Sequence, residues 1–182
     1  EIGRDKSVKA LMKAIDENEK RLFLVSQKSA ETEEPDFNEL ARTGVIVNIE
    51  QVMREHDRPF IRISAEGTER GIIVKEYKEE SSFLMADVLT LDKETVDDSL
   101  IKARAMREIL KDLYDTYAET TGDCPKEEII GIFDCEELDK LTFLVASGTL
   151  EGYRERQEIL DEARTLLRSE KLCKALGCQI DI

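Results

Sequence analysis

The sequence predicts an α+β fold, with a β-rich N-terminal lobe that carries one early helix, followed by a C-terminal α-helical bundle. Apolar residues recur at helical spacing near the start of the chain, alternate with polar residues over roughly the next third, and return to helical spacing after Asp92. Because these two periods belong to helices and half-buried strands respectively, we divide the chain into a β lobe, residues 1–92, and a helical lobe, residues 93–182.

The first elements are predicted as a helix, a strand and a loop. The helix covers Asp5 to Asn18, with Asp5 or Ser7 near its N-terminal cap and one apolar face. An apolar strand follows over Arg21 to Val25, and the acidic, proline-containing stretch from Glu31 to Asn38 is predicted to be an exposed loop. The apolar face of the helix is formed by Val8, Leu11, Met12 and Ile15.

Strand patterns then continue to Leu91. The segment Val45 to Val52 and the segment that starts at Ile61 both alternate apolar and polar residues, and the polar stretch before Pro59 predicts a hairpin turn between them. Gly67 and Gly71 are predicted to bracket a second tight connection, which leads into Ile72, Ile73 and Val74. A last strand covers Ser82 to Leu91, where four consecutive apolar residues from Phe83 to Ala86 indicate that both faces meet apolar groups.

The helical lobe is predicted to contain five helices. The first, Ile101 to Tyr117, is ended by Gly122, and Pro125 suits the first turn of the second, around Glu127 to Phe133. The remaining three are a helix through Leu138 and Val145, a short one from Tyr153 to Leu160, and a last one that opens at Asp161 or Glu162 and runs through Leu176.

Composition restricts the classes of function. The 182 residues include 27 Lys and Arg against 41 Asp and Glu, a net charge of −14, which argues against nucleic acid as the main partner because phosphate binding needs a basic face. No apolar run approaches the roughly 18 residues that span a bilayer, and no signal segment is visible, so no membrane role and a cytoplasmic location are expected.

The residue types that most often carry chemistry do not form a site. The only histidine, His56, lies in the predicted hairpin turn, where a solvated side chain is expected. The four cysteines are expected to be free thiols, since Cys173 and Cys178 would lie roughly 140° apart around a helix and the other two have no CxxC partner. We therefore predict no catalytic residue, no metal site and no cofactor in this chain.

Three stretches of sequence resemble a known family. They are Ile2 to Leu11, Leu24 to Ala30, and above all Thr43 to Val74, with its TGVIVNI and RISAEGTERGIIV segments. Together they resemble the amino-terminal domain of Lon, the ATP-dependent AAA+ serine protease. The resemblance implies a PUA-like β lobe, then a helical lobe whose last helix leads toward an ATPase ring.

The resemblance also sets expectations for the parent enzyme. Such an enzyme is a hexamer that uses ATP and Mg²⁺, and it is cytoplasmic, or mitochondrial if the parent is eukaryotic. Its catalytic Ser–Lys pair and its GxxxxGK[ST] phosphate loop are not found in these 182 residues. The family usually begins with a Pro-rich apolar strand that ends in Gly-Arg, whereas this chain opens at Glu1-Ile2-Gly3-Arg4, so we expect that strand to be missing and a sheet edge to be left unpaired.

The function implied by the resemblance is non-catalytic recognition of unfolded, damaged or degron-bearing proteins, together with assembly. Two alternatives remain: a free-standing PUA-like domain that binds RNA or a small ligand, and a structural spacer that acts through the face from Leu166 to Leu176. The resemblance implies structural roles for Gly44, Gly67 and Arg70, in which Gly67 can take a positive φ and Arg70 can fork to a carboxylate or carbonyl. The candidate substrate contacts are Phe60, Phe83, Met85 and Met53.

Overall fold

The structure is a computed structural model that describes residues 1–54, 59–77, 82–91, 96–97, 99–122 and 124–180. The chain divides into two compact units, Glu1–Asp92 and Lys93–Ile182. The first unit contains a β-sheet and the second contains helices. The predicted order of a sheet region followed by helices is therefore confirmed.

In the described part of the first unit, four strands form an antiparallel sheet in the order β1-β2-β3-β4, so each strand pairs with the next one along the chain. This order leaves β1 and β4 at the two edges of the sheet. Helix α1 precedes the sheet, and a short 3₁₀-helix lies between β1 and β2. The bounds are α1 Asp5–Glu17, β1 Arg21–Leu24, the 3₁₀-helix Phe37–Glu39, β2 Thr43–Arg54, β3 Ile61–Tyr77 and β4 Met85–Thr90.

Apolar clusters cover both faces of the sheet. On one face, Leu11 and Ala14 of α1 pack with Ile49 and Ile61, and Leu22 joins this cluster. On the other face, a second cluster of Phe37, Leu40 and Ile73 includes Phe23 and Val25. Neighbouring residues of a strand point to opposite faces, which is why Leu22 and Phe23 belong to different clusters.

The 3₁₀-helix modifies the loop predicted from Glu31 to Asn38. The Asp36 side chain accepts a hydrogen bond from the Asn38 N–H at 2.7 Å, and the Glu39 carboxylate accepts one from the Asp36 N–H at 3.0 Å. This capping box turns the chain inward and buries Phe37, so the end of the predicted exposed loop is part of the core.

The predicted tight connection between Gly67 and Gly71 is wrong. β3 runs without a break through both glycines, and Gly67 does not have the positive φ that we expected of it. Gly71 instead lies opposite Gly44 on β2, and the Phe23 ring packs over the pair. The two glycines provide space for an aromatic ring on the sheet, and the register shift next to Val47 accommodates the irregular pairing near Gly67.

The described residues of the second unit form five helices around one apolar core. Gly122 ends α2 in the left-handed conformation at φ 71°, as predicted, and its N–H donates to the Ala118 carbonyl at 2.9 Å. Leu172 and Leu176 of α6 are fully buried in this core. The bounds are α2 Ile101–Thr121, α3 Lys126–Phe133, α4 Leu138–Thr149, α5 Tyr153–Asp161 and α6 Thr165–Ile180.

The last helix begins later than predicted. Asp161 ends α5, and α6 begins only at Thr165. Between them the Glu162 carboxylate accepts hydrogen bonds from the backbone N–H and the guanidinium of Arg164, at 3.2 and 3.1 Å, and lies 3.1 Å from the Lys171 ammonium. The backbone hydrogen bond, followed by the side-chain bonds, lowers the pKa of Glu162 to about 2. Glu162, one of the residues predicted to open the last helix, is thus an anion that stabilises the turn between α5 and α6.

A buried polar network ties α4 to α6. Arg168 is 1% exposed, and its guanidinium donates to the Asp139 carboxylate at 2.7 Å, to the Glu162 carbonyl at 2.9 Å and to the Thr165 hydroxyl at 3.2 Å. The guanidinium also lies 4.6 Å from the centre of the Phe143 ring. This network fixes how two helices of the unit pack, since a buried charge is tolerated only with such partners.

Across the described ranges of the chain, no helix is long and apolar enough to cross a bilayer.

Candidate functional site

The first unit carries an open groove of about 620 Å³, lined mainly by apolar atoms. This volume lies within the range typical of ligand sites in proteins. All five residues from Arg21 to Val25 line it, together with α1, the 3₁₀-helix region and the start of β4. The apolar lining includes Ala10, Ala14, Leu22, Phe23, Pro35, Phe37, Leu40, Ile73, Phe83, Leu84, Met85 and Val88.

The groove opens onto the outer edge of β1. Successive side chains of a strand point to opposite faces, so a cavity lined by five successive residues must reach around the strand's edge. Among the residues that the structure describes, β1 pairs with β2 alone, so its other side is an edge of this sheet. The groove therefore meets the backbone of β1 as well as its side chains.

The hydrogen-bond pattern shows which backbone groups of β1 face outward. The Ile49 N–H donates to the Lys20 carbonyl at 2.8 Å, so Lys20 is a hydrogen-bonded position. Because such positions alternate along an antiparallel strand, the backbone groups of Leu22 and Leu24 also bond to β2, and those of Phe23 face away from it. Farther on, the Ser26 carbonyl accepts from the Ala41 N–H at 2.8 Å, so Val25 also faces away from β2.

The outward-facing backbone N–H and C=O groups along this edge differ in whether they have hydrogen-bond partners. Both backbone groups of Arg21 bond to Asn18. The Arg21 N–H donates to the Asn18 carbonyl at 2.7 Å, and the Asn18 side-chain amide donates to the Arg21 carbonyl at 2.8 Å. The outward N–H and C=O groups of Phe23 and Val25 have no such partner within the part of the chain that the structure describes. Phe23 of β1 and Val25, which directly follows the strand, thus present their backbone groups to the groove.

Most of the basic side chains on the rim of the groove are paired with carboxylates. Its basic residues are Arg4, Lys6, Lys13 and Arg21, and three of them form ion pairs: Lys6 with Glu34 at 3.0 Å, Lys13 with Glu17, and Arg21 with Glu69 at 3.2 Å. Arg4 donates to the Gln27 side chain at 2.6 Å. These contacts also tie the start of α1 to the segment that follows β1, and so hold two walls of the groove together.

The four predicted substrate contacts separate into two places. Phe83 and Met85 both line the groove, and Met85 is 45% exposed. Met53 and Phe60 lie at the β2–β3 hairpin instead, where Met53 pairs with Arg62, and neither lines the groove. The centre of that hairpin, residues 55–58 with His56, lies outside the described residues.

Sequence reasoning missed an apolar stripe next to Met85. Met85 pairs across the strands with Tyr77, and Val74 and Leu89 are each 58% exposed nearby on β3 and β4. The Lys75 ammonium lies 4.6 Å from the centre of the Tyr77 ring, and a hydrogen bond with that side chain raises the pKa of Lys75. The alternation of Met85, Asp87 and Leu89 could have indicated this face, but Val74 could not have been found because it lies at a register shift.

The residues predicted to be structural lie in the sheet. A Cβ at Gly44 would be 2.3 Å from the Leu24 carbonyl oxygen and 2.6 Å from the Phe23 ring, so only glycine fits there. Arg70 is half-buried and pairs with Val45, and its carbonyl accepts from the Leu91 N–H at 2.9 Å. The forked contact predicted for its side chain stays a prediction.

Metal-ligating residues do not converge in the described part of the chain. None of its groups of three or more His, Cys, Asp or Glu residues is arranged to hold a metal ion. The four cysteines are free thiols. Burial raises the pKa of Cys173 to about 11, which keeps it in the unreactive thiol form.

An open apolar groove beside an unpaired strand edge is a feature of binding domains. The chain belongs to the family described as the ATP-dependent protease La (LON) substrate-binding domain, whose model matches residues 1–177. The resemblance found in the sequence is therefore confirmed.

Individual relatives agree with this family. The chain is 30% identical over 183 residues to the Lon protease of Clostridium acetobutylicum, covering 100% of this chain and 23% of that protein. It is 28% identical over 176 residues to Lon protease 1 of Bacillus subtilis, covering 94% of this chain and 22% of that protein. The chain thus spans less than a quarter of the length of these relatives.

A solved structure shares the fold. The N-terminal domain of Mycobacterium avium complex Lon protease superposes with a TM-score of 0.75 at 15% sequence identity, covering 96% of this chain and 86% of that one. At this identity the similarity establishes the fold alone.

Proposed function

We propose that this chain is a non-catalytic module that recognises unfolded, damaged or degron-bearing proteins for an ATP-dependent protease of the Lon type. Membership of the substrate-binding domain family is the observation that carries the proposal. The module would bind with its first unit, which we take to be the PUA-like lobe of the family, and it would use no cofactor of its own.

The exposed apolar residues at the groove suit such a ligand. Leu84 and Met85 are 37% and 45% exposed and stand next to Phe83 on the groove wall, while Tyr77 and Leu89 extend the apolar surface over β3 and β4. Unfolded proteins differ from folded ones mainly by exposing apolar side chains, and methionine adapts to varied partners. A shallow apolar site of this kind would bind many sequences weakly.

Weak sites would suffice in an oligomer. We propose that several copies act together in a hexameric parent, where binding of one long polypeptide at several sites raises the overall affinity by roughly 10² to 10⁴. The second unit would serve assembly. Its Leu172 and Leu176 cannot report on that role, because both are buried in the unit's own core and their substitution would destabilise it.

The test is an NMR titration of the chain with reduced, carboxymethylated α-lactalbumin, which stays unfolded, and separately with the disulfide-intact folded protein. We expect shifts at Phe83 to Met85 with the unfolded protein alone. Met85→Gln should weaken this binding about fivefold, since loss of part of a buried methionine contact is worth roughly 1 kcal/mol. The matched control is Ile130→Gln, which changes a residue that is 60% exposed on α3, outside the groove.

Two outcomes would contradict the proposal. Equal binding of folded and unfolded α-lactalbumin would show that exposed apolar segments are not what is recognised. Absence of any binding at concentrations well above the weak range would favour the structural spacer. Shifts at the β2–β3 hairpin alone would keep the function but move the site to Met53 and Phe60.

A further inference from the structure

The outer side of α2 carries an apolar stripe formed by Ile101, Ala105 and Ile109. These residues are four positions apart, so they lie on one face of the helix, and this face is opposite the one that buries Ala103 and Leu110. All three are exposed, with Ile101 at 86% and Ile109 at 46%. Single apolar residues are common on protein surfaces, whereas three in line over successive turns form a strip that suits a partner helix.

The exposed charges of α2 are divided between its two ends. Lys102 and Arg104 are near its start, and the exposed acidic residues begin at Glu108 and continue to Glu119. The helix macrodipole favours the reverse order, with acidic residues near the N-terminus and basic residues near the C-terminus. The charge order is therefore unfavourable within α2 itself, but it is complementary to a second helix of the same sequence that runs in the opposite direction.

The two charges nearest the α2 stripe are available to a partner. In the ranges that the structure describes, neither the Arg104 guanidinium nor the Glu108 carboxylate forms an ion pair or hydrogen bond, whereas Lys102 lies 3.3 Å from the Glu170 carboxylate. Arg104 and Glu108 are four residues apart, so they flank the stripe on the same side. One border of the stripe thus presents a cation and an anion one helical turn apart.

We propose that α2 packs antiparallel against α2 of a second copy of this chain, about a twofold axis near Ala105. Ile101 of each copy then meets Ile109 of the other, and the small Ala105 side chains at the centre let the two helices approach closely. The twofold axis brings the same border of each stripe together, so Arg104 of each copy faces Glu108 of the other.

The helix ends are also complementary in this arrangement. A rise of about 1.5 Å per residue places Asp112 roughly 10 Å from Ala105 along the axis, and the partner's α2 begins roughly 6 Å from the centre on the same side. Asp112 therefore lies just beyond the partner's N-terminus, where a carboxylate is favoured. The first turn of α2 contains no acidic residue and its N-cap makes no side-chain hydrogen bond, so each copy supplies what the other lacks.

The inference rests on the assembly role in the proposed function and names the surface that performs it. One helix pair is a small contact, so association of separate chains is expected to be weak. In an oligomeric parent the copies are already held together, and the resulting effective concentration makes a weak contact sufficient.

Charge exchange between two variants tests the pairing. Arg104→Glu should weaken self-association in sedimentation equilibrium about tenfold, because two attractive pairs per dimer become repulsive, and Glu108→Arg should do the same. An equimolar mixture of the two variants should recover association, since the acidic side chain introduced in one then faces the basic side chain introduced in the other. An effect within one chain would not be rescued by mixing.

The matched control is Glu119→Arg. It makes the same charge change as Glu108→Arg at another exposed position of α2, but this position lies beyond the end of the partner helix. It should change association by less than about twofold. As a second measurement, dilution of the unsubstituted chain should shift the amide NMR signals of Ile101, Ala105 and Ile109.

Three results would overturn the inference. Absence of a dimer up to about 1 mM would show that the α2 stripe does not pair copies of the chain. A dimer that neither charge variant weakens would have another interface. If the two variants weaken binding of reduced, carboxymethylated α-lactalbumin and leave self-association unchanged, the stripe contacts substrate instead. Self-association is measured without substrate, so the inference can fail while recognition of unfolded proteins stands.

Discussion

Replacing Arg168 with methionine should destabilise the helical unit strongly. The guanidinium donates hydrogen bonds at 2.7 Å to Asp139, 2.9 Å to the Glu162 carbonyl and 3.2 Å to Thr165, and Arg168 is 1% exposed. Methionine has a similar length and fills the same space, but it cannot donate. The substitution therefore tests the polar network rather than packing.

The expected cost is about 4 kcal/mol. Removal of one partner of a buried ion pair typically costs 3–5 kcal/mol, because the remaining charge stays desolvated. The Asp139 side chain is 14% exposed, so water can compensate only in part. The double variant Arg168→Met with Asp139→Leu removes both charges and should cost at least about 2 kcal/mol less than the sum of the two single variants.

The assay is urea unfolding followed by helical circular dichroism, with the free energies combined as a double-mutant cycle. The control is Lys102→Ala, which removes an ion pair with Glu170 in which the lysine side chain is 65% exposed, and it should cost less than about 1 kcal/mol. Additive single-variant costs, or a loss below about 1 kcal/mol for Arg168→Met, would refute the view that this pair is buried and coupled.

Two further predictions concern the sheet and the turn before α6. Gly44→Ala should lower the free energy of unfolding in urea by about 3 kcal/mol, because the new Cβ would lie 2.6 Å from the Phe23 ring. Gly131→Ala is the control: its Cβ would meet nothing within 4 Å, so it should stabilise α3 by about 0.5–1 kcal/mol. Equal effects of the two substitutions would refute the steric argument. The pKa of Glu162 is lowered from 4.5 to about 2, first by the hydrogen bond from the Arg164 N–H, so its contribution to stability should be full above about pH 4.5 and lost as the pH falls through about 2. Glu162→Gln should remove that part of the acid dependence, and an unchanged stability difference between the two proteins over this pH range would contradict it.

Two of the four predicted substrate contacts line the groove, and their contact with substrate stays a prediction. Phe83 and Met85 stood out because apolar residues on consecutive positions of a strand need two apolar neighbours, and the structure places both on the groove wall. Met53 and Phe60 rested on residue type alone, and they lie at a hairpin and do not line the groove. The unpaired edge of β1 could not be located from the sequence, since the order of strands in a sheet is a long-range property.

The glycines show why local patterns fail. Two glycines four residues apart predicted a turn, yet Gly71 and Gly44 face each other on paired strands beneath an aromatic ring. A local pattern cannot distinguish a glycine that bends the chain from one that makes room for a side chain distant in sequence. That distinction is made by contacts formed only after the strands have paired.

The sequence by itself determined the succession of elements, the family and the acidic character of the chain. These follow from periodicity, residue identity and charge, all of which are local or additive. The tertiary structure alone decided that β3 passes unbroken through Gly67, that Phe37 is buried, that Arg168 pairs with Asp139 and that the backbone of Phe23 faces a groove. Each depends on which distant residues meet, and a single sequence does not specify those contacts locally.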